Sequence, residues 1–203
     1  MKNKLETMLD MQDAMNSRVN ADWRHANSEW YRAIWTECAE MLEHYGWKWW
    51  KHQEPDLDQV RLELVDIFHF AMSDYLLREL DKQAVVDRII DELSNPAKET
   101  DIPRAIEAMA QSTIANQSMH FSAFANVLQL IDMDFDQLYR LYVGKNVLNF
   151  FRQDHGYKDG SYIKVWSGLE DNEHLTELLN DLDSDSADFK DNVYKGLQFR
   201  YPS

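Results

Sequence analysis

The sequence predicts an all-α fold, a helical bundle built from one domain. Only six glycines and four prolines occur in 203 residues, and apolar residues recur mostly at spacings of three and four, the period of an α-helix. With 203 residues and a hydrophobic content of 44%, the chain is long enough to form one domain with a full hydrophobic core. It is too short for two domains of that kind. We therefore expect a single domain over residues 1–182 and an acidic tail over residues 183–203 that can dock on it.

Helix ends can be placed from capping residues and helix breakers. The first helix is expected over about Lys4–Arg18, and the second is expected to follow a cap at Asn27 or Ser28 and to end near Gly46. Asp56 begins the third helix, with Gln59 three residues on as in a capping box, and its apolar pattern runs to about Leu80. Further helices are expected at 85–93, at 104–133 as one broken helix or two, at 135–154 and at 170–182.

Four carboxylates form two pairs on the second and third predicted helices, which we expect at the centre of the bundle. Glu37 pairs with Glu40, and Glu63 pairs with Asp66. Residues three apart on a helix share a face, so two such helices packed together bring four anions to one place. Carboxylates about 4 Å apart repel by roughly 4 kcal/mol at an effective dielectric constant near 20, so protons or cations must neutralise them. Hard divalent cations with oxygen ligands, Mg²⁺ above all, suit such a cluster.

The surroundings of each pair decide between a metal site and a solvated helix face. Asp and Glu make up 36 of 203 residues, so an isolated E-x-x-E pair on a surface helix is commonplace. Around Glu63 and Asp66, however, the helix is apolar on nearly every side, which is typical of a buried helix. Glu37 and Glu40 lie at the edge of an apolar face, and buried carboxylates need partners. The sequence therefore favours a metal site.

Composition restricts the partners and the compartment. A net charge of −15 and a pI near 4.7 disfavour polymeric nucleic acid and anionic membranes as partners. The single cysteine, Cys38, lies on an apolar helical face, which fits the reducing cytoplasm. The N-terminal residues resemble no export signal, and no apolar stretch is long enough to span a bilayer. We therefore expect a cytoplasmic protein.

Two further segments have residues that could either stabilise the fold or contact a ligand. Gln12 and Asn16 lie at the centre of the apolar face of the first helix; they could form a helix-to-helix hydrogen bond or contact the edge of a base. The loop after the second helix holds three tryptophans and two lysines, including Trp47 and Lys48. Core packing explains one or two tryptophans, whereas the whole set also suits stacking on a base and contact with phosphate.

The helix predicted over 135–154 changes character along one face. Its apolar stripe is continued by Lys145, Asn149 and Arg152, and a basic, aromatic loop with Tyr157 and Lys158 follows. A surface helix places its cations opposite the stripe, so this pattern indicates either a phosphate clamp or a structural role. The structural alternative is a snorkelling lysine or an ion pair with the acidic helices.

The acidic pairs and three further segments resemble a known family. E-x-x-E, a spacer over positions 41–62 and E-x-x-D resemble the metal motif of the all-α nucleoside triphosphate pyrophosphatases. Within that superfamily, the segments MQDAMN at 11–16, WKWWK at 47–51 and KNVLNFFR at 145–152 with GYK at 156–158 resemble the dimeric dUTPases. The resemblance covers about Leu5 to Asn172, with Met15 where leucine is usual, and residues after about 180 match no known pattern.

The resemblance implies a Mg²⁺-dependent homodimeric enzyme that hydrolyses dUTP, and also dUDP, releasing pyrophosphate from dUTP to give dUMP. Two or more Mg²⁺ ions per site would bind the four acidic residues, with Glu37 or Glu40 as the base for the attacking water. The alternatives are a sister enzyme acting on dCTP or another nucleotide, and a non-catalytic helical dimerisation protein. The implied base contacts are Gln12, Asn16 and Trp47; the phosphate contacts are Lys48, Lys145, Asn149, Arg152, Tyr157 and Lys158.

Overall fold

A computed structural model describes residues 1–79, 81–184, 186 and 188–202. Its regular structure is helical apart from one small hairpin, which confirms the all-α prediction. The hairpin pairs the two-residue strands β1 and β2 in antiparallel register, Val165 opposite Glu170. The elements are α1 Lys2–Val19, α2 Trp30–Tyr45, α3 Leu57–Arg78, α4 Lys82–Ser94, α5 Ile102–Asn116, α6 Phe121–Leu130, α7 Phe135–Asp154, β1 Val165–Trp166, β2 Leu169–Glu170, α8 Asp171–Asp181 and α9 Phe189–Arg200.

The helix α3 is buried along most of its length, as its apolar composition predicts. Asp56 accepts a hydrogen bond from the backbone N–H of Gln59, so the expected cap is confirmed. Phe68 of α3 packs with ring centroids 5.4 Å from Phe121 and 5.3 Å from Phe124. These aromatic contacts join α3 to α6 in the core, and α2 and α1 also pack on α3. The long buried helix is therefore the element of the first unit on which α1, α2 and α6 pack.

Some predicted helix ends differ from the structure. Gly46 ends α2 with φ +87°, the left-handed conformation expected there. The expected cap of α2 is wrong: the helix follows Glu29, and Asn27 instead adopts a left-handed φ of +50°. The helix α3 ends at Arg78, whereas its expected end at Leu80 lies outside the described residues. Residues 104–133 contain the two helices α5 and α6 that were one of the two expectations.

The chain divides into two compact units. The first comprises Met1–Leu138, and the second comprises the chain from Tyr139 onward. In the first unit, α2 packs on α3 and α5, while α4 and α6 pack on each other. In the second unit, α9 packs on α8, and the domain boundary expected between residues 182 and 183 stays a prediction.

The second unit contains the larger part of α7, the hairpin, α8 and α9. A capping box begins α8, with Glu170 and Glu173 each bonding to the other's backbone N–H. Leu179 of α8 lies so close to Gly144 of α7 that a Cβ there would be 2.7 Å from a leucine methyl. Phe189 and the rest of the apolar face of α9 are buried. Residues 185, 187 and 203 of the expected tail lie outside the described residues.

Among the described residues, the helices are all too short or too polar to cross a membrane.

Candidate active site

Three carboxylates from α2 and α3 meet in the first unit. Oxygen atoms of Glu37, Glu63 and Asp66 all lie within 4.8 Å of one another. The α3 helix supplies Glu63 and Asp66 on one face, and its burial leaves Glu63 only 6% exposed. The α2 helix packs against α3 and presents Glu37 to that face. The convergence of acidic side chains expected from their spacing is therefore present, with three of the four predicted residues forming the cluster.

Electrostatics in this cluster oppose full ionisation. Burial, together with the charge of Asp66 and a hydrogen bond to Glu63, raises the pKa of Glu37 to about 8. A carboxyl group that keeps its proton near neutral pH is the expected response when anions crowd together without a cation. The cluster thus has the property that a hard divalent cation relieves, since such an ion is bound by carboxylate oxygens.

Glu40 lies beside this cluster and is not part of it. Its side chain is exposed, yet its charge still raises the pKa of Glu37. The sequence prediction that all four acidic residues act together therefore remains a prediction for Glu40.

His44 is a neighbour of the cluster that the sequence reasoning missed. Its Nε2 lies 3.3 Å from Glu63 Oε1. The sequence spacing could have identified His44, because it follows Glu37 by seven residues and Glu40 by four. The three side chains therefore share one face of α2.

Gln12 and Asn16 belong to a buried hydrogen-bond network between α1 and α3. Gln12 Nε2 donates to Asn16 Oδ1 at 3.0 Å and to Ser73 Oγ at 2.9 Å. Asn16 Nδ2 also donates to Ser73 Oγ, at 2.9 Å. His69 Nδ1 lies 2.6 Å from Gln12 Oε1 and acts as the donor, because an amide oxygen only accepts. The helix-to-helix bonding expected as one alternative is present, and contact with a base stays a prediction.

The tryptophan loop between α2 and α3 is open to solvent. Trp49 is 88% exposed, and its ring meets Trp50 edge to face at 5.3 Å. Trp47 Nε1 donates to Glu43 Oε1 at 2.9 Å, and Lys48 forms an ion pair with the same carboxylate. Glu43 thus orients Trp47 and Lys48 together. Large exposed aromatic rings held this way present flat faces on which a ring-shaped ligand can stack.

In the second unit, Arg152 forms a bidentate ion pair with Asp171. Its Nε donates to Asp171 Oδ2 at 2.7 Å and its Nη2 to Asp171 Oδ1 at 2.9 Å. Asp171 is fully buried, and Tyr162 donates its hydroxyl to Asp171 Oδ2 at 2.9 Å. Burial alone would raise the pKa of Asp171, but the bonds and charge of Arg152 lower it below its ordinary value. Burial and the Asp171 charge raise the pKa of Tyr162, so its hydroxyl remains a donor.

Three other predicted phosphate ligands, Lys145, Asn149 and Tyr157, lie near this ion pair. Lys145 Nζ donates to Asn172 Oδ1 at 2.9 Å, and Asn149 Oδ1 accepts from Arg152 Nη1 at 3.1 Å. Tyr157 is exposed, with its ring 5.9 Å from the guanidinium carbon of Arg152, and Lys158 is also exposed. An ion pair was one expectation for Arg152, with the acidic helices as the partner. In the structure Arg152 bonds to the carboxylate of Asp171 at the start of α8, and an ion pair with the acidic helices stays a prediction.

The comparison with family models gives the class of protein to which this fold and acidic cluster belong. A model described as dUTPase matches residues 4–157, more than half of the chain. The protein is therefore a nucleoside triphosphate pyrophosphohydrolase, as the sequence predicted. Within that class it belongs to the all-α, dimeric dUTPase family and is an enzyme of the dUTP diphosphatase type. A search of curated proteins finds no match to the chain.

Proposed function

We propose that the enzyme hydrolyses dUTP to dUMP and pyrophosphate with Mg²⁺, and that it also accepts dUDP. The observation that carries the proposal is the cluster of three carboxylates within 4.8 Å in a chain of the dUTPase family. Glu37, Glu63 and Asp66 offer only oxygen donors, the ligands that Mg²⁺ prefers. The donor set therefore fits two or more such ions, with Glu40 as a further ligand at the rim.

Mg²⁺ bound there would offset the negative charge of the phosphate chain and lower the pKa of a water molecule. We assign the acceptor of that water's proton to Glu40 or Glu37. Glu40 is the better placed of the two because it is exposed and lies outside the three-carboxylate group. Glu37, by contrast, is one of the three clustered carboxylates and would be taken up as a metal ligand.

Phosphate binding is assigned to cationic and polar side chains. In the second unit these are Lys145, Asn149, Arg152, Tyr157 and Lys158, and in the tryptophan loop Lys48. The Arg152–Asp171 pair carries no net charge, so we assign the attraction for phosphate mainly to Lys145 and Lys158. Arg152 then orients the bound phosphate rather than attracting it by charge, because a guanidinium held by a carboxylate has a fixed orientation.

Base recognition is assigned to Gln12, Asn16 and Trp47. Gln12 and Asn16 are nearly buried, and each amide can donate to a carbonyl and accept from a ring N–H. Uracil presents two carbonyls and one N–H between them, while cytosine reverses that pattern at two of the three positions. For the amides to read a base, they must exchange part of their bonding to Ser73 for bonds to the ligand.

The base assignment predicts the substrate preference. With Mg²⁺ present, dUTP should exceed dCTP by at least about a hundredfold in kcat/KM, because a buried amide left unpaired by the wrong base costs several kcal/mol. Asn16→Ala should lower that ratio to about tenfold by removing one such group. The measurement is pyrophosphate release from a panel of deoxynucleoside triphosphates. Asn3→Ala on the exposed side of the same helix is the matched control and should leave the ratio unchanged.

Two results would contradict this assignment. If dCTP is hydrolysed as well as dUTP, the protein is the sister enzyme considered from the sequence. If Asn16→Ala lowers stability while the ratio stays the same, the Gln12–Asn16–Ser73 network is structural and the base is read elsewhere.

We further propose that the enzyme is a homodimer in the cytoplasm. An apolar groove between α2 and α5 is lined by Leu42, Ile106 and Ile114 among others. An exposed apolar surface of this kind supports a second copy of the chain as the partner that covers it. Cys38 is a buried, unpaired thiol, as suits the cytoplasm. Light scattering on the purified chain gives the molar mass, and the mass of one chain at micromolar concentration would contradict the dimer.

A further inference from the structure

The C-terminal helix α9 lies beyond residues 4–157, the part of the chain that the family model matches. Its apolar residues Phe189, Val193 and Leu197 are buried in the second unit. At Gly196 the helix approaches α8 so closely that a Cβ would lie 2.6 Å from a methyl carbon of Leu178. The helix is therefore packed into this unit through a continuous apolar face.

Tyr201 follows α9 and contacts the loop between α7 and α8. Its hydroxyl accepts a hydrogen bond from the backbone N–H of Ile163 at 2.9 Å. Its ring stacks on Tyr162, with centroids 5.5 Å apart and planes 13° apart. Phe151 and Trp166 meet the same ring edge to face at 5.2 and 5.1 Å. One side chain thus fixes both a backbone amide and an aromatic ring of the loop.

The loop that Tyr201 contacts is the one that carries Tyr157 and Lys158. It closes on Gly156, whose carbonyl accepts from the N–H groups of Ser161 and Tyr162 at 3.0 and 3.3 Å. Gly156 has φ +89°, a conformation that favours glycine. At its far end, Tyr162 and Arg152 share one oxygen of Asp171. Displacement of Tyr162 would therefore disturb both the loop and the ion pair of Arg152.

We propose that Tyr201 is a positioning residue for phosphate binding, and that α9 serves to hold it there. Tyr201 restrains Tyr162 and Ile163, and through them the loop that presents Tyr157 and Lys158. This inference rests on the proposed function, since it assigns a supporting residue to the proposed phosphate ligands. Pre-arranging a binding loop lowers the entropy cost of ordering it when the ligand binds.

The test compares two conservative variants in α9 and its end. Tyr201→Phe removes the hydroxyl that Ile163 bonds to and keeps the ring. Tyr194→Phe, the control, removes the hydroxyl that donates to Asp154 Oδ2 at 2.9 Å, outside the loop. Three quantities are measured for each protein in Mg²⁺ buffer: exchange of the Ile163 amide hydrogen, calorimetric affinity for inorganic tripolyphosphate, and KM and kcat for dUTP.

For Tyr201→Phe we expect faster exchange at Ile163, about fivefold weaker binding of tripolyphosphate and a similar rise in KM, with kcat nearly unchanged. Tyr194→Phe should resemble the wild type in all three. Faster exchange at Ile163 with unchanged tripolyphosphate affinity would overturn the proposal, as would unchanged exchange.

The affinity measurement separates this inference from the proposed function. If the wild type binds tripolyphosphate and hydrolyses no deoxynucleotide, the proposed activity fails while the two variants still test Tyr201. If the wild type does not bind tripolyphosphate, the loop is not a phosphate site and the positioning role is overturned.

Discussion

Replacing Glu63 with glutamine will reduce metal-dependent hydrolysis of dUTP by about a hundredfold or more, while the metal-free protein keeps or gains stability. Glu63 is the most buried carboxylate of the cluster and contacts both Glu37 and His44. The substitution keeps the shape of the side chain and an acceptor oxygen for His44, but it removes one anionic ligand. It also removes a repulsive charge beside Glu37, so the pKa of Glu37 should fall toward its ordinary value.

Turnover is measured at saturating Mg²⁺, and stability by urea denaturation in chelator. Glu99→Gln, the same chemical change at an exposed position between α4 and α5, is the matched control and should behave as the wild type. A Glu63→Gln enzyme that turns over dUTP at the wild-type rate would remove Glu63 from the metal site. A large loss of stability in chelator would instead make the carboxylate a structural group.

The second large effect is expected at Asp171. Asp171→Asn should lower the free energy of unfolding of the second unit by about 3 kcal/mol, because it removes the charge of the buried carboxylate that accepts two hydrogen bonds from Arg152. Arg152 retains 14% side-chain exposure, which places the effect at the lower end of the range for broken buried pairs. Urea denaturation followed by tryptophan fluorescence measures the change. Asp181→Asn, at the exposed C-terminal end of α8, is the control and should have little effect.

The lowered pKa of Asp171 fixes the pH dependence of this contribution. An aspartate in the unfolded chain has a pKa of about 3.9. Because the folded-state pKa lies below that value, the stabilisation is fully present above about pH 4 and is lost as the pH falls through the folded-state pKa. The difference in stability between wild type and Asp171→Asn should therefore shrink on acidification below pH 4. A difference that stays constant or grows on acidification would show that the ion pair is not its source.

The sequence predicted the features that depend on local periodicity and caps. The bounds of α7 agree with the prediction, and the Asp56–Gln59 cap and the left-handed Gly46 are where local chemistry places them. The three-carboxylate cluster also followed from spacing, because i, i+3 residues on two packed helices share faces whatever the rest of the chain does.

Features that depend on partners distant in the chain were not predictable in the same way. Asp171, the partner of Arg152, follows it by nineteen residues across a loop and a hairpin, and no periodicity connects them. Ser73, which joins Gln12 and Asn16, lies on another helix. Spacing alone could not show that Glu40 lies outside the cluster, because the position of its side chain depends on how α2 packs on α3. The acidic Asp-Ser run before α9 obscured the apolar spacing that identifies that helix.

The most direct test of the central claim is ³¹P NMR of dUTP incubated with the wild-type enzyme, once with Mg²⁺ and once with excess chelator. The account predicts dUMP and pyrophosphate in the first sample and intact dUTP in the second. Equal turnover in chelator would contradict a metal site at Glu37, Glu63 and Asp66, and release of orthophosphate with dUDP as the first product would contradict the assignment of the reaction.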